Sequence, residues 1–131
     1  MMKHSRGFTV IELVVVLVLA GIGFALFVTQ KADVDAAARD GQRKTAINAM
    51  YYSLEEVYYA EKEYYPQEID SKTLRAIDPA LFTDPDGLHI GNPLSTYRYE
   101  GTDCSIEGHC KHYKLSASLE REAEYIKESR R

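Results

Sequence analysis

The sequence predicts an α+β protein: one long N-terminal helix, apolar in its first half and amphipathic in its second, packed on a small antiparallel sheet. Three observations carry that prediction. No proline occurs before Pro66, and the chain up to it is rich in Ala, Glu, Lys and Arg, residues that lose little freedom in a helix. Tyr97–Tyr99 and Tyr113–Leu119 alternate as strands do, with turn-forming residues between them. Finally, 131 residues, less about thirty directed to a membrane, leave roughly a hundred for a body with a single core.

The first half of the helix is a membrane-length run. From Phe8 to Val28 the only ionisable side chain is Glu12. As a helix rising about 1.5 Å per residue this run spans roughly 30 Å, one hydrocarbon thickness. Lys3, His4 and Arg6 precede it; Lys31, Asp33 and Asp35 follow. Positive charge upstream predicts the N-terminus inside and the body outside the cytoplasm. The run exceeds the usual apolar core of a secretory signal, about 7–15 residues, although an Ala-rich stretch at Ala36–Ala38 offers a site for ordinary signal peptidase. A plain signal anchor, the other simple reading, gives no reason for Glu12. A carboxylate in hydrocarbon is costly and is normally paired or functional.

Gly7-Phe8-Thr9-Val10-Ile11-Glu12, after a basic leader and before an apolar run, resembles the N-terminus of type IV pilins and pseudopilins. The resemblance implies cleavage between Gly7 and Phe8 by a membrane aspartyl prepilin peptidase, N-methylation of Phe8, and a mature chain whose fifth residue is Glu12. It implies a lollipop-shaped pilin fold, with residues 1–7 a leader peptide, 8–30 a transmembrane and filament-core helix, and 31–131 the head. It also implies partners: other pilin subunits and an inner-membrane assembly platform. The destination would be a surface pilus or an envelope pseudopilus.

Elementary electrostatics then accounts for Glu12. Cleavage frees an α-amino group at Phe8 with a pKa near 8. Glu12, about one helical turn away, can neutralise that amine or the amine of a neighbouring subunit, and in a low dielectric such pairing is strong only with both partners present. Gly21 and Gly23 each cost about 1 kcal/mol against alanine in a helix. Close helix packing explains them, with local extension of the helix in a filament as the sharper reading.

The helix is expected to run from Phe8 to about Glu61. Ile47, Met50, Tyr51, Leu54 and Tyr58 share one face, with Glu55, Glu56 and Tyr59 directed away from it. The charges Asp33, Asp35, Arg39, Asp40, Arg43 and Lys44 read as a solvated helix surface offering secondary contacts between subunits, worth under about 1 kcal/mol per exposed pair. Tyr58–Pro66 ends the helix with an aromatic cluster packed under the head, and Ser71–Ile77 is expected to cap a short helix. Asp84-Pro85-Asp86-Gly87 and Gly91-Asn92-Pro93 are turn signals. The hairpin follows, and the tail from Glu120 reads as a short helix or a frayed end.

Candidate chemistry is sparse. Cys104 and Cys110 enclose five residues between the two strands; outside the cytoplasm a disulfide is the favoured reading. The competitor is zinc on Cys104, His109, Cys110 and His112, whose spacing lacks the usual close cysteine pair. Asp84, Asp86 and Asp103 offer oxygens to calcium, which major secretion pseudopilins hold in this region, but turn chemistry explains Asp84 and Asp86 equally well. No nucleophile elbow, phosphate loop or zincin motif is present, so no cofactor and no enzymatic activity are expected. With 16 Lys and Arg against 20 Asp and Glu, net charge −4, a broad nucleic-acid footprint is disfavoured. The rival reading is a signal-anchored extracytoplasmic domain that binds a metal or small ligand.

Overall fold

Helix α1 runs without interruption from Val10 to Tyr52. It continues through a π-helical stretch, Ser53–Tyr58, into a last short turn, α2, Tyr59–Lys62. The computed structural model describes residues 7–131; the basic leader residues Lys3, His4 and Arg6 lie outside the described residues. The chain divides into two compact units, Met1–Asp35 and Ala36–Arg131. Helical structure thus begins two residues later than expected and ends at Lys62, where Glu63 turns left-handed (φ 62°) and its N–H donates to the Tyr59 carbonyl at 2.8 Å.

In the first unit the large apolar side chains from Phe8 to Val28 are all exposed. Burying a Val, Leu, Ile or Phe is worth about 1.5–3 kcal/mol, so a bare surface of this kind forgoes tens of kcal/mol in water. This helix is long and apolar enough to cross a membrane.

The second unit holds the core. Ala46, Ile47, Met50 and Leu54 of the helix are buried with Tyr65, Phe82, Tyr97, Tyr113 and Leu115. Its sheet has four antiparallel strands: β1 (Tyr65–Pro66), β2 (Tyr97–Cys104), β3 (His109–Ala117) and β4 (Tyr125–Glu128). β2 lies along one edge of β3, from Tyr97 opposite Ala117 to Cys104 opposite Cys110. β1 and β4 therefore take successive stretches of the other edge, Tyr65 facing Cys110 and Tyr125 facing Ala117. The α+β class and the central hairpin match the expectation from sequence.

Four local expectations are corrected. Ser71–Ile77 is not a helix: the Asp70 carboxylate accepts from the backbone N–H groups of Lys72 and Thr73 and from the Thr73 hydroxyl, closing turns, and the nearest helical piece is a 3-10 turn at Pro79–Phe82. The tail is neither helical nor frayed, because residues 125–128 form β4, with the Tyr125 hydroxyl donating to Asn48 Oδ1 at 2.9 Å. Glu55 is buried and Tyr59 half-buried against the core, since the π stretch widens the turn and brings Ser53, Leu54 and Glu55 inward together. Finally, Asp40 and Arg43 do not lie on a solvated surface; both are buried within the second unit.

Asp40 and Arg43 organise the return of the tail. The Asp40 carboxylate accepts from the backbone N–H groups of Glu120 and Arg121 at 2.9 and 3.0 Å. The Arg43 guanidinium donates to Asp40, Glu120 and Thr96. Such a buried cation holds its place only when its donors are satisfied.

Candidate processing and assembly site

Gly7 and Phe8 are exposed and precede the helix. Thr9 caps it: the Thr9 hydroxyl accepts from the Glu12 N–H at 3.3 Å, and the Thr9 carbonyl takes the first helical bond, from Leu13 N–H at 3.1 Å. Threonine suits this position because its oxygen satisfies a donor that the first turn leaves free, worth about 1 kcal/mol. Glu12 therefore stands in the first turn, where the helix dipole favours a negative charge. Its side chain is exposed, and its carboxylate has no hydrogen-bond or ion-pair partner among the described residues. Phe8 and Thr9 are non-helical, so the five residues from Phe8 to Glu12 do not form a full helical turn in the uncut chain. Gly21 and Gly23 lie in unbroken helix, and a Cβ at either would touch nothing within 4 Å.

The sequence-predicted residues of the second unit fall in separate places. Cys104 and Cys110 are joined by a disulfide across the end of the hairpin, so neither sulfur is a thiolate available to zinc. The His109 ring stacks on Tyr64 at 3.7 Å, while His112 Nδ1 lies 2.5 Å from the Arg131 backbone oxygen. Asp84 is saturated by protein donors. Its carboxylate accepts from the N–H groups of Asp86, Leu88 and Thr96 and from the Ser95 and Thr96 hydroxyls. Burial acts to raise its pKa, and these donors more than offset it, leaving the carboxyl below its ordinary value. That is a loop-organising role. Among the described residues no group of three or more His, Cys, Asp or Glu side chains is placed to hold a metal ion.

Sequence reasoning missed Glu55. Its carboxylate accepts from the hydroxyls of Tyr65 (2.9 Å) and Tyr113 (2.8 Å) and from the Arg130 N–H (3.2 Å). Burial first, and then the hydrogen bond to Glu55 and its charge, push both tyrosine hydroxyls well above their ordinary pKa. Gly101 was also missed: a Cβ there would stand 2.7 Å from Cys110 Sγ and 3.2 Å from Cys104 Sγ. The disulfide needs a glycine beneath it, and a hint lay in the one glycine of an otherwise well-formed strand.

Residues 2–28 match the family model described as the prokaryotic N-terminal methylation motif. That motif is the class III signal peptide of type IV pilins and pseudopilins. This chain carries a pilin-type N-terminus, and the exposed start of α1 is its structural expression. No curated protein and no solved structure matches the chain.

Proposed function

We propose that the protein is a structural subunit of a type IV pilus or pseudopilus, and not an enzyme. The precursor enters the membrane with its basic leader on the cytoplasmic side and its second unit outside. Prepilin peptidase cuts between Gly7 and Phe8 and methylates Phe8. The cut removes Lys3 and Arg6 with the leader and replaces them by a single amine at Phe8.

Glu12 supplies the complementary charge. The Thr9 cap holds the Glu12 backbone at the helix end, four residues from the new amine. Phe8 and Thr9, being outside the helix, leave the amine free to meet its own acid or that of a neighbour. In hydrocarbon an unmatched carboxylate is costly, and pairing it with a cation offsets much of that cost. Subunits added end to register therefore trade two isolated charges for a pair, while the apolar shafts pack against one another. The assembly platform of the inner membrane and further pilin subunits are the partners this requires.

The observation that carries the proposal is the methylation-motif match over residues 2–28 on a helix whose large apolar side chains from Phe8 to Val28 are all exposed. The test is Glu12→Ala in the full chain, with sheared or extracted filaments collected by ultracentrifugation. Breaking a buried pair costs about 3–5 kcal/mol, so polymer yield should fall by roughly a hundredfold or more while cleavage proceeds. Normal polymer from the variant would refute the pairing.

A further inference from the structure

The hairpin tip ends on a side chain that its turn does not explain. Ser105–Gly108 closes with the Gly108 N–H donating to the Ser105 carbonyl at 3.0 Å, Gly108 at φ 80°. Turn tips favour Gly, Asn, Asp, Ser or Pro, yet Ile106 occupies this one and is fully exposed. The disulfide holds the tip from below. Glu107 lies beside Ile106, 3.8 Å from the His109 ring, and Asp103 stands at the base of the loop, 4.0 Å from the His112 ring. The tip is an apolar knob with a carboxylate collar.

A groove of opposite character lies in the same unit. A cavity of about 670 Å³ opens between the helix end and the turns after Asp70, floored by Val57, Tyr58 and Leu74. Lys62, Lys72 and Arg75 line its rim against one acid, Glu61, which sits 4.0 Å from the Lys62 ammonium. The rim therefore keeps a net positive charge. Val57, half-exposed on this floor, has the same unexplained exposure as Ile106. Because Ile106 is fully exposed, it does not fill the groove of its own chain.

We infer that the Ile106–Glu107 tip of one copy seats in the Val57–Tyr58–Leu74 groove of a second copy of this chain. The charge match selects the occupant: an apolar knob collared by carboxylates and a basic groove lined in part by Val57, Tyr58 and Leu74, both carried on one chain, are complementary to each other. The two patches differ, so the contact is heterologous and repeats from copy to copy without self-closure unless a rotation closes it. This inference rests on the filament-subunit reading and adds to it a contact between the second units of neighbours.

The test places the photocrosslinking residue p-benzoylphenylalanine at position 106 of the full chain in cells that assemble it, and the same residue at position 19 of a second sample as a control for helix packing. Irradiation should give a dimer band from position 106, mapping by mass spectrometry to the segment from Val57 to Arg75 of the partner copy. Adding Glu107→Lys should reduce that band roughly fivefold, and Lys72→Glu in the same chain should restore it. If position 19 crosslinks between copies but position 106 crosslinks elsewhere or not at all, the docking is wrong and the filament reading stands. If neither position crosslinks copies to one another, both fall.

Discussion

The Tyr113 hydroxyl donates to the buried Glu55 carboxylate at 2.8 Å, tying the middle of β3 to the π-helical turn 58 residues earlier in the chain. Tyr65 and the Arg130 backbone close the same carboxylate, so strand β1, strand β3 and the tail meet on one acid. Glu55→Ala removes that acceptor and leaves two buried hydroxyls unsatisfied. At about 1–3 kcal/mol for each orphaned group, the variant should lose roughly 2–5 kcal/mol. Glu55→Gln keeps one acceptor oxygen and should lose less. Urea unfolding of the full chain in detergent, followed by tyrosine fluorescence, checks the order.

Arg43 is predicted to matter far more than its neighbour Lys44. Arg43→Met leaves Asp40 buried without its cation, a loss of about 3–5 kcal/mol when one member of a buried pair is removed. Lys44 pairs with Glu122 at 2.6 Å at a half-exposed position, and such pairs contribute at most about 1 kcal/mol. Thermal unfolding of Arg43→Met and Lys44→Met should separate them clearly. Equal losses would remove Arg43 as the anchor of the returning tail.

The same cluster predicts acid sensitivity. Hydrogen bonds from Arg39 and then Arg43 lower the Glu120 pKa to about 2. For Asp40, burial acts to raise the pKa, but the Glu120 and Arg121 N–H groups and Arg43 bring it below the ordinary value. Both folded-state values are depressed, so their stabilisation is complete above the unfolded carboxylate range near 4. It is lost as pH falls through the folded values. The unfolding midpoint should thus fall between about pH 5 and pH 2, and Glu120→Gln should flatten that slope.

Gly101→Ala should destabilise by about 1–3 kcal/mol, the range for overpacking, because its Cβ would press on both sulfurs. In a Cys104→Ser, Cys110→Ser background the larger atoms and their bond are gone. The cost of Gly101→Ala should therefore shrink there, giving a coupling energy measurable by a double-mutant cycle. An unchanged cost would mean that Pro66 O, 3.2 Å away, is the limiting neighbour.

The parts of this fold that were legible in sequence are those set by local pattern. The proline-free helix, the alternating strands, the paired cysteines and the Asp84–Gly87 turn, closed by Gly87 at φ 84°, all declare themselves within a few residues. The parts that were not legible depend on distant partners. Ser53-Leu54-Glu55 turns inward because Tyr65, Tyr113 and Arg130 await Glu55, and nothing within the helix announces a π turn. Asp40 and Arg43 look like ordinary surface charges until the tail returns 80 residues later. β4 is four residues long, with Ile126 exposed and Tyr125 half-buried, so its polarity contradicts a simple in-out reading. At the N-terminus the reverse holds: the motif was plain in the sequence, and the structure adds the Thr9 cap that sets Glu12 in place.

The central claim is that a peptide bond breaks between Gly7 and Phe8, so that Glu12 acquires an amine four residues away. Intact-mass and N-terminal fragment spectra of the protein extracted from membranes test it most directly. The account predicts a chain beginning with N-methylated Phe8. A chain still beginning at Met1, or one beginning near Ala36–Arg39 after ordinary signal cleavage, would contradict it.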